Sequence, residues 1–318
     1  MASTDKTRNR FLRSHTLMNP QVLKDEATVR SSFVAMHPDV PSLFDQLNEA
    51  AAYLRSHTDF QPKTGLILGT GLGGLIEELD LHMKWDYQLV PHFPVSTVEG
   101  HAGSLLMGHL AGEPVIVLNG RFHYYEGYSA QQLTFPTRLL CHLGIERLLI
   151  SNVAGSTNRQ YRAADVVVVK DHINMHPDNP LRGPNDERIG LRFPDLLNAY
   201  DPNLRELATS AMLTLKMPAH QGVYVGLQGP NLETPAEYRM IKIIGGDLVG
   251  MSTVQEVLVA NHMHVPVLVT SLVSNECHDP DYLTETTLEE VLEVARKGGE
   301  KMQKLWMSIL SKFVEAER

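Results

Sequence analysis

Residues 65–74 read GLILGTGLGG, a short apolar run that passes directly into a cluster of glycines. Residues 65–69 have the length and composition of a buried strand. Glycines after a strand let backbone N–H groups approach an anion closely, and Thr70 adds a hydroxyl donor. The stretch therefore predicts a strand followed by a phosphate-binding turn. A plain structural turn and a dinucleotide site are the alternatives.

The dinucleotide alternative rests on Gly69, Gly71 and Gly74, which match the G-x-G-x-x-G pattern. A dinucleotide site also needs a long helix after the turn and an acidic residue about 20 positions further on. Here the next helix could span only residues 75–79, and residues 88–94 contain no acid. The pattern therefore favours phosphate over a nicotinamide cofactor.

Further strand-like and helix-like segments follow in alternation. Strands are predicted over residues 115–119, 147–152, 165–170, 222–228, 247–251 and 265–273. Helices are predicted over residues 129–143, 234–245 and 252–264, and from Thr286 or Thr287 onward, where Glu289 and Glu290 offer capping-box partners. This alternation predicts an α/β fold around a mixed or mainly parallel sheet, with functional groups where strands end.

The composition limits the class of protein. The chain has 318 residues and a formal net charge of −9, which disfavours nucleic acid and anionic membranes as partners. No run of 18 apolar residues is present, so no membrane span is predicted. Two cysteines, Cys141 and Cys277, make no disulfide framework, which favours a reducing, cytoplasmic location. Residues 1–40 are predicted to be a mobile extension, and residues 41–318 the functional domain.

A second group of polar residues follows the strand at 115–119. Residues 119–128 read NGRFHYYEGY. Arg121 can bind two oxygens of an oxyanion, His123 can donate a hydrogen bond, and Tyr125 offers a hydroxyl suited to a sugar. His101, in the glycine-rich stretch GHAG at 100–103, is a candidate for the same site or a core histidine.

Three other strand ends carry candidate ligands. Glu233 immediately precedes a predicted helix, where it could interact with the helix dipole or accept from the N–H groups of a base. Ser252 could cap the next helix or hold an anion. Asn275 offers both a donor and an acceptor, although asparagine is also common in turns.

Taken together, these motifs resemble the trimeric class of purine nucleoside phosphorylases. The resemblance covers roughly residues 41–315 and depends on several motifs in one order, of which RFHYYEGY at 121–128 is the most specific. It implies a single α/β domain with a distorted mixed central sheet flanked by helices. It also implies a homotrimer, with no metal or organic cofactor and with inorganic phosphate as co-substrate.

The resemblance also implies roles for individual residues. Asn275, Glu233 and His123 would be the catalytic residues. Phosphate would be held by Thr70, His101, Arg121, His123, Val153 and Ser252. Ribose would contact Tyr125 and Met251, and the purine would contact Leu232, Glu233, Val249, Gly250 and Asn275.

The implied reaction is phosphorolysis of a purine nucleoside to the free base and pentose 1-phosphate. A 6-oxopurine would offer an N1–H donor to Glu233 and acceptors to the Asn275 amide, whereas adenine reverses the polarity at N1 and N6. Mismatches of this kind can discriminate by roughly 10⁴-fold or more, so inosine and guanosine are expected over adenosine.

Some positions depart from the family pattern. Leu232 stands where the family usually has Phe, Val153 where it has Ala, and Leu288 near a position where it has His. The loop at 174–180 is short, which together with Leu288 predicts tolerance of changes at the ribose 5′ position. Two alternatives therefore stay open: a 5′-methylthio-nucleoside phosphorylase, and a catalytically weak nucleoside-binding paralogue.

Overall fold

The apolar runs of the sequence form adjacent strands in the computed structural model, which describes residues 41–94, 103–279, 281 and 283–317, with only the backbone of Leu288. The predicted extension at 1–40 lies outside the described residues. The strands are β1 (Thr64–Leu68), β2 (Asp80–Asp86), β3 (Ser104–Leu110), β4 (Glu113–Asn119), β5 (Arg147–Ser156), β6 (Val166–Asn174), β7 (His220–Gly226), β8 (Leu248–Gly250) and β9 (Val267–Glu276).

Helices connect these strands and cover both faces of the sheet. They are α1 (Leu43–Arg55), α2 (Gly74–Glu77), α3 (Ala130–His142), α4 (Pro202–Thr214), α5 (Pro235–Ile243), α6 (Val254–His262) and α7 (Leu288–Ala316). Helices α3, α5 and α7 each begin with a capping box, in which Ser129, Thr234 and Thr287 accept from the backbone three residues on. The capping box predicted for α7 is confirmed, with Glu290 as the partner.

Alternating side chains divide the core between the two faces of the sheet. In β1, Leu66 and Leu68 pack into one apolar cluster, whereas Ile67 packs into the other. Helices α1, α3 and α6 cover the Ile67 face, and α4 and α7 cover the opposite face. This two-sided burial explains why the central strands are continuous apolar runs. The predicted α/β architecture with a mixed sheet is confirmed.

The sheet is distorted because β5 is long and has different neighbours along its length. One edge of β5 pairs with β9 throughout, while the other pairs first with β1 at residues 147–150 and then with β8 at residues 155–156. Strand β8 pairs with β7, β7 pairs with β6, and β6 pairs with β9. Strands β5, β8, β7, β6 and β9 thus close into a ring, and residues 151–154 of β5 lie where β1 and β8 diverge.

The sequence analysis did not predict two of the strands, β2 and β3. Strand β2 forms the outer edge of the sheet and pairs antiparallel with β3, which in turn pairs antiparallel with β4. The β3–β4 turn consists of Ala111 and Gly112, both with positive φ (50° and 84°), the geometry that suits a two-residue hairpin. Alanine is a weak signal for that turn. In the described part of the chain, no helix is both long and apolar enough to cross a membrane.

Candidate active site

A cavity of about 630 Å³ opens where β1 and β8 diverge from β5. Strands β4, β1, β5 and β9 are mutually parallel along their shared edges, so their carboxyl ends meet at this point. The predicted site residues that line the cavity are Thr70, Arg121, His123, Tyr125, Val153, Leu232, Glu233, Val249, Gly250, Met251, Ser252 and Asn275. His101 lies outside the described residues. The structure therefore brings together every predicted site residue that it describes.

The glycine turn after β1 fits tightly against its neighbours. A side chain at Gly69 would lie 2.8 Å from the Ser151 carbonyl oxygen, and Gly71 has φ +90° against the Ala295 backbone. The Gly69 N–H donates to Ser151 Oγ at 2.8 Å, so this amide is already engaged. Thr70 is exposed and lines the cavity. The turn therefore brings the Thr70 hydroxyl, rather than the Gly69 amide, to the candidate anion site.

Arg121 provides a buried positive charge at the cavity wall. Its Nη1 donates to Ser252 Oγ at 3.0 Å, and its Nε lies 3.4 Å from Glu256 Oε1. The Arg121 and Glu256 side chains are only 5% and 6% exposed. Within the described residues, the buried Arg121 Nη2 has no hydrogen-bond partner. A buried guanidinium with an unused donor is well suited to bind an oxyanion that enters the cavity.

Ser252 is held in place by a strained neighbour. Thr253 has φ +74°, an unfavourable conformation for a β-branched residue. Its Oγ1 accepts from Asn152 Nδ2 at 3.0 Å and lies 3.0 Å from Ser252 Oγ. The capping alternative for Ser252 is wrong, because Thr253 is the N-cap residue of α6 and makes no side-chain capping bond. The Ser252 hydroxyl instead joins the Arg121 network, and strain of this kind concentrates at functional sites.

His123 is oriented by a short local network. Its Nδ1 lies 3.0 Å from Glu126 Oε1, which also accepts from the His123 backbone N–H at 2.8 Å. The imidazole stacks on the Tyr125 ring with centroids 4.7 Å apart. An ionised carboxylate can only accept, so the His123 Nδ1–H donates to Glu126 and the ring orientation is fixed by this contact.

Glu233 and Asn275 occupy the other part of the cavity wall. Asn275 Oδ1 accepts from Ser274 Oγ at 2.6 Å, and its Nδ2 donates to Cys277 Sγ at 2.9 Å. Burial raises the pKa of the Glu233 carboxyl, and a hydrogen bond with Tyr238 partly opposes that rise. The amide and the carboxylate together offer a donor and an acceptor to a heterocycle.

The remaining lining residues are mainly apolar. Leu232 is 49% exposed at the cavity rim, and Val291, from the first turn of α7, contributes a further apolar side chain. Thr286 and Thr287 also line this side. The side chain of Leu288 lies outside the described residues. No group of three or more His, Cys, Asp or Glu side chains in the described ranges is placed to hold a metal ion.

Four residues important to this geometry were missed from the sequence. Each contacts a predicted site residue: Thr253, which belongs to the motif at 249–253 but was given no role, contacts Ser252, and Glu256 contacts Arg121. Tyr238 contacts Glu233, and Cys277 contacts Asn275. Glu256 could have been identified from the sequence. It lies in the apolar helical stretch at 254–260, and a buried acidic residue needs a partner. The others become apparent only once the chain is folded.

Comparison with known proteins identifies the family. The model of the Phosphorylase superfamily matches residues 63–311. This chain belongs to the phosphorylase superfamily. It is 45% identical over 271 residues to purine nucleoside phosphorylase 1 of Bacillus subtilis, a match that spans 85% of this chain and 99% of the relative. It is 41% identical to the purine nucleoside phosphorylase of Mus musculus over 85% of this chain and 96% of that one.

Solved structures of this family have the same fold. Purine nucleoside phosphorylase of Schistosoma mansoni in complex with inosine superposes with a TM-score of 0.80 at 39% identity, over 84% of this chain and 96% of the other. Isoform 2 from the same organism, in complex with cytosine and ribose-1-phosphate, gives a TM-score of 0.81 at 39% identity, with the same coverage. The resemblance to purine nucleoside phosphorylases inferred from the motifs is confirmed.

Proposed function

We propose that this chain is a purine nucleoside phosphorylase, which cleaves 6-oxopurine ribo- and deoxyribonucleosides with inorganic phosphate in purine salvage. One observation carries the proposal: a single cavity combines the Arg121–Ser252 pair, with Arg121 buried, and the Glu233 and Asn275 groups. The first pair is suited to an oxyanion and the second to a heterocycle. Named relatives at 41–45% identity over most of the chain support the same activity.

The proposed reaction follows from the oxyanion-binding pair and the heterocycle-binding pair. A phosphate held by Arg121, Ser252, Thr70 and His123 would attack the ribosyl C1′ as the C1′–N9 bond breaks. The electron pair of that bond moves to the purine, and the C1′–O bond yields pentose 1-phosphate. Because phosphate is the nucleophile and its charge stabilises the oxocarbenium-like sugar, no enzyme carboxylate is needed for attack.

Base selection would depend on Glu233 and Asn275. Ionised Glu233 accepts the N1–H of a 6-oxopurine, and the Asn275 Nδ2–H donates to O6 or N7. Negative charge builds on the leaving purine, so the Asn275 hydrogen bond strengthens in the transition state. Tyr125 and Met251 would contact the sugar between the two ends, and His101 is proposed to lie beside the phosphate.

Assembly and location belong to the same proposal. The family resemblance implies a homotrimer, and the exposed apolar side chains of Leu191, Phe193 and Leu197 supply surface that a second copy could cover. Sedimentation equilibrium would separate a trimer from a monomer. Cys141 and Cys277 are both free and buried, which supports a reducing, cytoplasmic location.

The test is phosphate-dependent base release from inosine, guanosine, adenosine and their 5′-deoxy and 5′-methylthio forms. The proposal expects inosine and guanosine to be cleaved far faster than adenosine, with no release when phosphate is omitted. Faster cleavage of the 5′-methylthio forms would favour the methylthio-nucleoside alternative. Absence of release from every nucleoside would favour the binding paralogue.

A further inference from the structure

The glycine turn at residues 69–74 rests against the middle of α7. Gly71 contacts one turn of this helix, at Ala295 and at Gly299. A Cβ at Gly71 would lie 2.6 Å from the Ala295 carbonyl oxygen, and a Cβ at Gly299 would overlap the Gly71 carbonyl oxygen. The contact is therefore one of backbone against backbone. Thr70, one position before Gly71, is exposed and lines the cavity.

A side chain of α7 extends the same contact by one more helical turn. Gln303 Nε2 donates to the Gly74 carbonyl oxygen at 3.3 Å. Ala295, Gly299 and Gln303 follow one another at intervals of four residues, so they lie along one stripe of the helix. Leu72 of the turn also packs with Ala295 in one apolar cluster. The stripe therefore holds the turn at more than one point.

The helix is itself anchored to β9. Trp306 is fully buried, and its Nε1 donates to Thr270 Oγ1 at 3.0 Å. A Cβ at Gly298 would overlap the Leu272 side chain, so the helix backbone also lies close to this strand. The turn, by contrast, is exposed at Gly73 and borders the cavity there. When the contact between turn and helix is crowded, the turn is therefore the part that moves.

We propose that Ala295, Gly299 and Gln303 are positioning residues, which set the position of the glycine turn and so place the Thr70 hydroxyl for phosphate. This inference rests on the proposed phosphorylase function, in which Thr70 is one of the phosphate ligands. The three residues act through the turn, and none of them needs to touch the phosphate.

The effect should be confined to one end of the cavity. Arg121 and Ser252 hold phosphate from other segments, so a displaced turn should weaken phosphate binding rather than abolish it. Glu233 precedes α5 and Asn275 lies in β9, so the proposed base ligands do not depend on the turn. The KM for phosphate should therefore change much more than the KM for inosine, whereas a general loss of structure would impair both.

Gly299→Ala separates this role from helix formation. Alanine forms helices better than glycine, so the substitution would favour α7 if Gly299 were an ordinary helical residue. The new methyl group would overlap the Gly71 carbonyl oxygen, and the turn would have to move by a distance on the order of 1 Å. A displacement of that size can cost about 100-fold in an enzyme.

The experiment measures the phosphate Kd of the full chain by titration calorimetry, and the KM values for phosphate and inosine by steady-state kinetics. Gly299→Ala should raise the phosphate Kd and KM about 10- to 100-fold. Gln303→Ala removes one hydrogen bond to the turn and should raise them about two- to tenfold. The KM for inosine should change much less in both variants.

Gly298→Ala is the matched control, because it adds the same methyl group at the neighbouring position of α7. Its Cβ is directed at the Leu272 side chain rather than at the turn. The phosphate Kd and KM should therefore stay at their wild-type values, whatever the effect on Tm. A purely structural role of the two glycines would give Gly298→Ala and Gly299→Ala the same kinetic profile.

The positioning role is overturned if Gly299→Ala folds and binds phosphate as tightly as the wild-type protein. It is also overturned if Gly298→Ala weakens phosphate binding as much as Gly299→Ala does. If Gly299→Ala does not fold, Gln303→Ala decides, and an unchanged phosphate Kd in that variant overturns the role. Failure of the wild-type protein to release base from any purine nucleoside would instead overturn the proposed function, while the calorimetric titrations would still test the positioning role.

Discussion

Arg121 Nη1 donates to Ser252 Oγ across 3.0 Å, although the two residues are 131 positions apart in the chain. The contact joins the end of β4 to the segment between β8 and α6. It fixes the guanidinium plane at the cavity wall, and Nη2 of the same guanidinium has no hydrogen-bond partner among the residues that the structure describes. Phosphate binding should therefore depend on the shape of the guanidinium as well as on its charge.

Arg121→Lys keeps the charge but removes the fork, so the KM for phosphate should rise about 10- to 100-fold. The KM for inosine should change much less, because the base ligands are untouched. Phosphate saturation curves at fixed inosine measure this difference. Arg162→Lys at a largely exposed side chain is the control. An unchanged phosphate KM in Arg121→Lys would rule out the assigned role.

Glu256→Gln should destabilise the protein by roughly 3 kcal/mol, because it leaves the buried Arg121 charge without its carboxylate. Bound phosphate would then supply the missing negative charge. The rise in Tm on adding phosphate should consequently be larger in Glu256→Gln than in the wild-type protein. Thermal melts with and without phosphate check this. Glu289→Gln on the exposed start of α7 should behave like wild type. Equal phosphate effects in both proteins would contradict the prediction.

Asn275→Ala should lose mainly kcat, by about 10²–10³-fold, since the proposed role of the amide is to stabilise charge that appears on the purine only in the transition state. The KM for inosine should shift by less than the rate. Steady-state kinetics with inosine separate the two effects. Asn203→Ala on the exposed surface of α4 is the matched control. A normal kcat in Asn275→Ala would remove this residue from the catalytic step.

Two histidines should make the protein sensitive to acid. Burial lowers the pKa of His176 and of His262 to about 4, with Arg138 and His264 adding to the effect at His262. The folded state keeps both neutral, whereas the unfolded chain binds protons near pH 6.5. The free energy of unfolding should therefore be highest above pH 6.5. It should fall as the pH drops from 6.5 towards 4, by up to about 1.4 kcal/mol per pH unit for each histidine.

Urea unfolding between pH 7 and pH 4.5 measures that slope. His176→Gln and His262→Gln should each flatten it, whereas His57→Gln on the surface should leave it in place. A slope that survives in the double variant His176→Gln/His262→Gln would assign the acid sensitivity to other groups.

The central strands were predictable because each is a buried apolar run that ends in a glycine or a polar residue. The run before Gly69 and the run before Asn275 are of this kind, and both proved to be strands of the sheet. Strand β2 was not predictable, because at the sheet edge only Trp85 of its seven residues is buried. Edge strands lack the apolar continuity on which the prediction depended.

The same distinction applies to the site. Arg121, Ser252, Glu233 and Asn275 stand at strand or helix ends, and their side-chain chemistry marks them. Tyr238 could not be identified in this way, because it joins Val225, Val249 and Cys277 in one apolar cluster only when the chain is folded. Positions of this kind follow from tertiary packing rather than from local pattern.

The ring formed by β5, β8, β7, β6 and β9 has a consequence for how the protein is made. Strand β9 ends at Glu276 and is the last strand of the chain, yet it joins β5 to β6 and carries Asn275. A nascent chain cannot complete the ring until this strand has left the ribosome. The enzyme should therefore be inactive through most of its synthesis, because the proposed base-binding residue Asn275 takes its place only when the last and most non-local strand pairings form.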